Sequence, residues 1–188
     1  MAANLNSAEF NYAGSGEVYL APVGTAMPAA ETTALNAAFL GLGYTTEDGV
    51  SIQPTIEMNE VRSWQSAYAT DRRVNSRDLT ISATLQQLNN VTFRTNFGGG
   101  SFALGTGTYT YTPPAEADID YKAMIIHWVD GTEITRLLVP KVLVSESGAL
   151  QLQRATPTEI AITWGLISTG VGNPFTVVSN RAEFATPV

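Results

Sequence analysis

The sequence predicts a mainly β protein with one short α-helix, one long connection between two strands, and extended terminal arms. Apolar and polar residues alternate along several segments, which is the period of a strand with one buried face. Gly-containing turns separate these segments. Only one segment combines a strong helix-start signal with a helix-stop signal. Together these observations favour strands over helices along most of the chain.

The strands are predicted in chain order from alternation and composition. They cover residues 17–21, 50–58, 79–86, 121–129, 133–139, 142–145, 150–154, 158–166 and 175–178. The segment 79–86 is the clearest, since its apolar and polar residues occupy alternate positions, and 158–166 repeats the pattern. We expect Gly49, Gly131 and Gly148 to supply positive-φ turn positions, with a hairpin at Asp130 and Gly131. Residues 121–154 are therefore expected to form a meander.

One helix is predicted over residues 90–97. Asn89 or Asn90 can cap its start, Phe93 and Phe97 lie four residues apart on one face, and a run of three glycines ends it. A second short helix or turn at residues 32–38 has weaker support, because its alanines favour a helix but no apolar stripe accompanies them.

Composition narrows the class of protein. The 188 residues suit a single domain, and 44 % of them are hydrophobic, which is enough for a sizeable core. Charged residues make up 14 %, below the ~25 % typical of soluble domains, as expected for a surface that becomes buried in an assembly. The net charge of -7 disfavours a dedicated nucleic-acid binder, whose affinity depends on cations. Without cysteine the chain has no disulfide, thiolate metal site or cysteine nucleophile.

The ends of the sequence are expected to form arms around a central domain. Residues 1–15 and 169–188 are rich in small polar residues and flank a domain of residues 16–168. We expect both arms to be poorly ordered in an isolated subunit, and their aromatic residues suggest docking on a neighbour, with fraying termini as the alternative. The start lacks the pattern of a secretory signal, and no apolar run is long enough for a membrane helix. We therefore expect no membrane insertion.

No catalytic or metal-binding constellation is predicted, and no cofactor is expected. His127, the single histidine, lies in an apolar run and is more typical of a packed or edge histidine than of a general base. Asp118 with Asp120 could contact calcium but lacks enough oxygen ligands nearby, and Glu57 with Glu60 is a weak glycosidase pair. The sequence thus disfavours an enzyme.

The segment 60–78 is a long basic connection between two predicted strands. It holds four of the ten basic residues and adds Trp64 and Tyr68, a composition typical of interface hot spots. Structureless connections beyond about 12–15 residues are uncommon unless they bind something. A solvated excursion is the alternative. The predicted contact residues are Arg62, Trp64, Tyr68, Arg72, Arg73 and Arg77.

The order of motifs resembles that of the major tail tube proteins of long-tailed phages, particularly those infecting actinobacteria. The resemblance spans roughly residues 16–166. Its motifs are APVGT at residues 21–25, GY at 43–44 followed by EDGV at 47–50, and the strand at 79–85 that leads into an Asn-capped helix and a Gly run.

This resemblance implies a tail-tube-type β-sandwich with a flanking helix, and homohexameric rings stacked into a hollow tube for DNA passage during ejection. It places segment 60–78 against an adjacent ring, so that its arginines would contact acidic groups there. It also implies other tail proteins as partners (tape measure, tail terminator and distal tail), a location in the virion tail, and assembly in the host cytoplasm. The alternatives are another β-sandwich virion protein, such as a terminator or decoration protein, and a carbohydrate-binding β-sandwich.

A lumen that lets DNA pass must not attract it, because cationic groups would release counterions from DNA and hold it. Two predicted strands have polar faces without Lys or Arg, and Glu159 and Thr163 extend the pattern on a third. Ordinary solvent-exposed faces of a sandwich are the alternative. The lumen candidates are Ser51, Gln53, Thr55, Glu57, Thr80, Ser82, Thr84 and Gln86.

Overall fold

The computed structural model describes residues 7–116, 118–170 and 172–185. These residues form ten strands, one α-helix and two short 3-10 helices (Ser7–Glu9 and Ala182–Ala185). The strands are β1 (Ser15–Pro22), β2 (Leu40–Gly41), β3 (Thr45–Val61), β4 (Asp71–Leu85), β5 (Ser101–Leu104), β6 (Tyr109–Thr112), β7 (Lys122–Asp130), β8 (Glu133–Ser147), β9 (Ile160–Leu166) and β10 (Thr176–Ser179). The predicted mainly β class with a single short α-helix is confirmed.

Eight strands form one antiparallel sheet in the order β2-β1-β7-β8-β9-β4-β3, with β10 paired to β8 beside this path. The first part of β8 pairs with β7, and its last part, from Val142 to Ser147, pairs with β9. Side chains from β1 and β7 share one buried cluster with side chains from β4 and β9. The sheet therefore bends at β8 so that its two halves face each other as a sandwich.

The main core lies between these two halves. It is built from alternate residues of each strand, and Ile81, Leu85, Met124 and Trp164 are almost completely buried. The alternation predicted for 79–86 and 158–166 is confirmed, because the apolar set faces this core in both strands. Burial of such large side chains stabilises each by about 1.5–3 kcal/mol relative to exposure.

A second, smaller core covers the opposite face of β1, β7 and β8. Phe39 packs there on Ile125 and Leu138, together with part of the connection between β1 and β2. Of the helix or turn predicted at 32–38, the turn is confirmed, since this connection forms turns and bends and no helix. Two of its carbonyl oxygens accept hydrogen bonds from a side chain: the Arg136 guanidinium donates to the carbonyl oxygens of Ala30 and Thr33 at 3.2 and 2.7 Å.

The helix α1 (Asn90–Asn96) is close to its predicted position, and Asn89 is its cap. The Asn89 side chain accepts from the Val91 and Thr92 amides at 2.8 and 3.0 Å, and the Thr92 hydroxyl accepts from the Asn89 amide at 2.9 Å. This reciprocal arrangement satisfies amides that the first turn leaves without partners. The helix packs on the small β5–β6 sheet through an aromatic cluster of Phe93, Phe97, Phe102 and Tyr111.

β8 is longer than predicted, because it continues through 140–141 and joins two predicted segments, whereas β7 keeps its predicted length of nine residues. The Asp130 and Gly131 hairpin is confirmed, with φ of 61° at Gly131. The strand predicted at 150–154 is wrong: only Gln151 forms a bridge, to Glu159. β9 has β4 on one edge and β8 on the other, so no free edge is left for this segment. Gly148 does not adopt the expected positive φ.

Part of the C-terminal arm is paired within the subunit rather than poorly ordered. β10 adds to β8, and the Asn180 side chain accepts from the Ile134 amide at 2.7 Å. The buried Arg181 guanidinium lies between three carboxylates, 3.7 Å from Asp130, 3.1 Å from Glu133 and 3.6 Å from Glu183. The first six residues of the N-terminal arm and the last three of the C-terminal arm lie outside the described residues, and the division into arms and domain stays a prediction.

Candidate assembly surface

The segment 60–78 is mostly strand, and the expectation of a long structureless loop is wrong. β3 pairs with β4 as far as Val61 and Asp71, so only residues 62–70 form the connection. We call these nine residues the hairpin tip. One cross-strand ion pair lies on the part of the ladder beyond the sandwich, with Arg72 3.0 Å from Glu60. Residues 60–78 show no apolar–polar alternation, because neither face of this outer hairpin is buried in the subunit.

The hairpin beyond the sandwich exposes an apolar face. Ile56, Met58 and Val74 lie on one side of it and are each about half exposed, at 49 %, 53 % and 46 %. Met58 and Val74 are direct cross-strand partners. An isolated two-stranded hairpin is at best marginally stable in water, so this face lacks the partner that such a structure needs. Exposed apolar residues grouped in this way indicate an interaction surface.

The opposite face of the hairpin is polar and holds the predicted lumen candidates. The register pairs Ser51 with Ser82 and Gln53 with Thr80, so the two predicted sets lie side by side on one face. β9 continues this face, since Thr163 pairs with Ser82. Sequence reasoning missed Ser76 and Asp78, which pair with Glu57 and Thr55 and so join the same face.

Hydrogen bonds tie this polar face together. The Ser76 hydroxyl donates to the Glu57 carboxylate at 3.1 Å, and the Gln86 amide donates to the Glu159 carboxylate at 3.2 Å. From Ser51 to Glu57, the paired residues of β3 and β4 on this face include two carboxylates and no Lys or Arg. Such a surface of hydroxyls, amides and carboxylates repels a polyanion weakly and offers it no cation.

The four arginines of the segment separate into different environments. Arg62 and Arg72 both contact Glu60, at 2.7 and 3.0 Å, and Arg73 lies 3.3 Å from Asp71. Arg77 is exposed and sits opposite Ile56, on the apolar face, without an ion pair to any described residue. Arg77 is therefore the one of these four arginines that has no ion pair with a described residue of its own subunit.

The aromatic residues of the tip are open to solvent. The Trp64 side chain is 100 % exposed and Tyr68 is 85 % exposed. By contrast, Trp164 is buried in the core and Trp128 packs against it. A fully exposed Trp at the end of a projecting hairpin is unusual for a monomer and typical of a binding hot spot.

The other candidate groups have structural partners. His127 shares a face with Ile125, and its Nδ1 accepts from the Arg136 Nε at 3.2 Å. Burial lowers the pKa of His127, Arg136 lowers that pKa further, and Glu17 opposes the shift. Asp120 is 2.6 Å from the Lys122 ammonium. Glu57 and Glu60 lie on opposite faces of β3, three residues apart.

The described part of the chain contains no clustered metal ligands and no membrane-spanning helix, and its sheet has open strand edges. Residues 7–116, 118–170 and 172–185 contain no group of three or more His, Cys, Asp or Glu placed to hold a metal ion. None of their helices has the length and apolar character needed to cross a bilayer. The edges of their sheet that stay open include the outer edge of β3, which pairs only with β4, and the edge of β8 beyond Val142, where the β7 ladder stops.

The bent antiparallel sandwich has a projecting hairpin with an exposed apolar face, and it has open strand edges, which are features typical of proteins that assemble with other subunits. A family model described as phage tail tube protein matches residues 1–187. The chain therefore belongs to the phage tail tube protein family, and it is a structural protein of the virion tail.

The comparison with solved structures includes a chain from the virion of a native gene transfer agent particle. It is 8 % identical, with a TM-score of 0.43, and the match covers 78 % of this chain and 92 % of that chain. No curated protein matches the sequence.

Proposed function

We propose that this protein polymerises as stacked rings into a hollow tail tube through which double-stranded DNA passes during genome ejection. The single observation that carries the proposal is the β3–β4 hairpin, which projects from the sandwich with one polar face and one exposed apolar face. Family membership supports a tail role, and six subunits per ring is the number that the resemblance implies.

The polar face of the hairpin forms the lumen wall in this proposal. It presents Ser51, Gln53, Thr80 and Ser82 as a continuous hydroxyl and amide surface. DNA that passes along such a wall finds no Lys or Arg to which its phosphates could transfer their counterions. We therefore expect DNA to pass along the wall without being bound specifically.

The rings close through strand edges. The outer edge of β3 and the edge of β8 beyond Val142 bound the same four-stranded part of the sheet, β8-β9-β4-β3. Pairing the β3 edge of one subunit with the β8 edge of the next satisfies backbone groups that a monomer leaves exposed. Two different surfaces meet in such a contact, so it is heterologous and closes into a ring when the rotation allows.

Assembly also covers the apolar face of the hairpin. Ile56, Met58 and Val74 lose their exposed area against a second subunit. Each square ångström of apolar surface buried contributes about 25 cal/mol.

In this proposal the tape measure, terminator and distal tail proteins contact the tube at its ends or in its lumen, and assembly takes place in the host cytoplasm.

Electron microscopy of the purified protein at several concentrations tests the proposal. We expect hollow tubes or rings, and a strictly monomeric protein at all concentrations would contradict the proposal.

The proposed contact between the β3 edge and the β8 edge is tested with Gln53→Cys and Ser145→Cys in one chain, since the sequence has no cysteine of its own. A short bismaleimide should give covalent oligomers up to a closed ring from the double variant but not from either single variant.

A further inference from the structure

The end of the sheet opposite the hairpin tip carries an open groove of about 680 Å³. We call it the base groove. It lies between the first half of β1 and the bend that leads from β2 into β3. The residues that matter for its character are Glu17, Tyr19, Gly43, Tyr44, Gln87 and His127.

The shape of the base groove is fixed by Gly43. Its φ is 83°, a conformation that favours glycine, and a Cβ at this position would lie 1.6 Å from the Gln87 Oε1. Gln87 is thereby free to accept from the Tyr44 amide at 3.2 Å. Tyr44 is left 74 % exposed at the rim. The bend therefore leaves an aromatic-lined cleft open to solvent instead of filling it.

The surroundings of the base groove are acidic. Glu17 accepts a hydrogen bond from the Tyr19 hydroxyl inside the groove. Glu47 and Asp48 are exposed at the bulge near the start of β3, two and three positions after the lining residue Thr45, and neither has an ion pair to any described residue. Burial lowers the pKa of His127, which favours its neutral form there. The nearest guanidinium, that of Arg136, is engaged with His127 and two backbone carbonyl groups.

The hairpin tip has the complementary properties. It presents a fully exposed Trp64 and carries Arg62, with Arg72 and Arg73 on the adjoining strand ends. Segment 60–78 contains four basic and three acidic residues, so it is net positive, whereas the rest of the chain is acidic. An indole side chain buries roughly 150–250 Å² when it is fully enclosed, and a cleft lined with tyrosines suits it.

The tip and the base groove lie at opposite ends of the same two strands. β3 runs 17 residues from Thr45, at the groove, to Val61, at the tip, which corresponds to about 50 Å at 3.3 Å per residue. If subunits stack along the hairpin so that their polar faces form a continuous wall, the tip of one subunit meets the groove end of the next. Two different surfaces that meet in this way propagate without limit, as a tube requires.

We propose that the hairpin tip of one subunit docks in the base groove of a second copy in the adjacent ring. Trp64 enters the cleft beside Tyr19 and Tyr44, and the tip arginines face Glu17, Glu47 and Asp48. This inference rests on the proposed stacking of rings and adds to it the receiving surface of the contact.

A photo-reactive benzoylphenylalanine in place of Trp64 tests the proposal directly in assembled protein. Illumination should give a covalent dimer, and mass spectrometry should map the second peptide to residues 15–19, 41–45, 87 or 127. If tubes form and the adduct maps elsewhere, the docking of the tip in the base groove is contradicted, while the proposed tube is still supported. If wild-type protein forms no tubes, both proposals fail.

Substitutions measure the energetic weight of the contact. Trp64→Ala should raise the critical concentration for tube formation about 10- to 30-fold, as for an interface hot spot. Glu47→Arg with Asp48→Arg should raise it comparably and make assembly stronger, not weaker, as salt is added. As a matched pair of single charge reversals, Glu47→Arg should raise the critical concentration, whereas Glu116→Arg, at an exposed position that does not line the groove, should leave it unchanged. Equal behaviour of these two single variants would overturn the proposal.

Discussion

Charge reversal at Arg77 gives the sharpest test of the role of the hairpin. The Arg77 side chain is exposed, faces the same side as Ile56, and contacts no carboxylate of the described residues within ion-pair distance. Arg72 and Arg73, in contrast, are within 3.0 Å of Glu60 and 3.3 Å of Asp71. Only Arg77 can be reversed without breaking a contact inside the subunit.

The expected stability effects follow from these contacts. Arg77→Glu removes no partner, so the free energy of unfolding should change by less than about 0.5 kcal/mol. Arg72→Glu loses an exposed ion pair, worth about 0.2–1 kcal/mol, and places two carboxylates opposite each other at a similar further cost. The total of about 0.4–2 kcal/mol corresponds to a fall in Tm of about 1–8 °C for a chain of this size.

Thermal unfolding of the subunit and sedimentation of the tubes separate the two effects. Arg77→Glu should keep the wild-type Tm and raise the critical concentration for assembly about tenfold, equivalent to 1.4 kcal/mol per contact. Arg77→Lys keeps the charge and should assemble nearly as wild type. Wild-type tubes from Arg77→Glu at the wild-type critical concentration would refute the role of this arginine. A loss of assembly in Arg72→Glu would be weaker evidence for a contact between subunits, because this substitution also destabilises the hairpin itself.

Three further predictions concern the lumen, His127 and the C-terminal arm. Thr80→Lys with Thr84→Lys should slow genome ejection, since lumen cations would hold DNA phosphates, whereas the same positions changed to Gln should eject normally in a fluorescence assay of DNA release. Because the pKa of His127 is lowered in the folded subunit, the unfolded chain binds more protons as pH falls below about 6.5. Stability should therefore decline from about pH 7 downwards in denaturant titrations, and His127→Gln should flatten that decline. Arg181→Met leaves three partly exposed carboxylates without their cation and should cost about 2–3 kcal/mol. Hydrogen exchange should then show faster exchange at β10 than in the sandwich core.

The fold was predictable wherever one face of a strand is buried. Residues 79–85 alternate because Leu79, Ile81, Ala83 and Leu85 enter the core while their neighbours do not. Residues 60–78 of the hairpin gave no such signal, since neither of their faces is buried within the subunit. The β5–β6 hairpin was missed although residues 105–107 supply a Gly-rich turn between its strands. The run of three glycines that precedes β5 predicts only the end of the helix.

The candidate lumen was predictable as two separate polar faces, but their union was not. Alternation shows which residues of one strand share a face, whereas the register between β3 and β4 decides which residues of the two strands adjoin. Two bulges interrupt that register, near Gly49 and after Glu57. The second also separates Arg77 from Arg73 along the ladder, so a contact surface assigned from sequence as one cluster of arginines divides in three dimensions.

The ion pairs at the hairpin tip bear on how assembly is controlled. Arg62 and Arg72 share Glu60, and Arg73 contacts Asp71, so most of the charge at the tip is balanced within the subunit. A single tip-to-groove contact is then weak, and an affinity near 1 mM would amount to about 4 kcal/mol. Two free subunits at micromolar concentration would not remain paired by it. A closed ring presents several such tips at once, and the second and later contacts become intramolecular, which raises the overall affinity by orders of magnitude. Rings, rather than single subunits, should therefore be the units that stack, and tube growth should begin only after a lag whose length falls steeply with protein concentration.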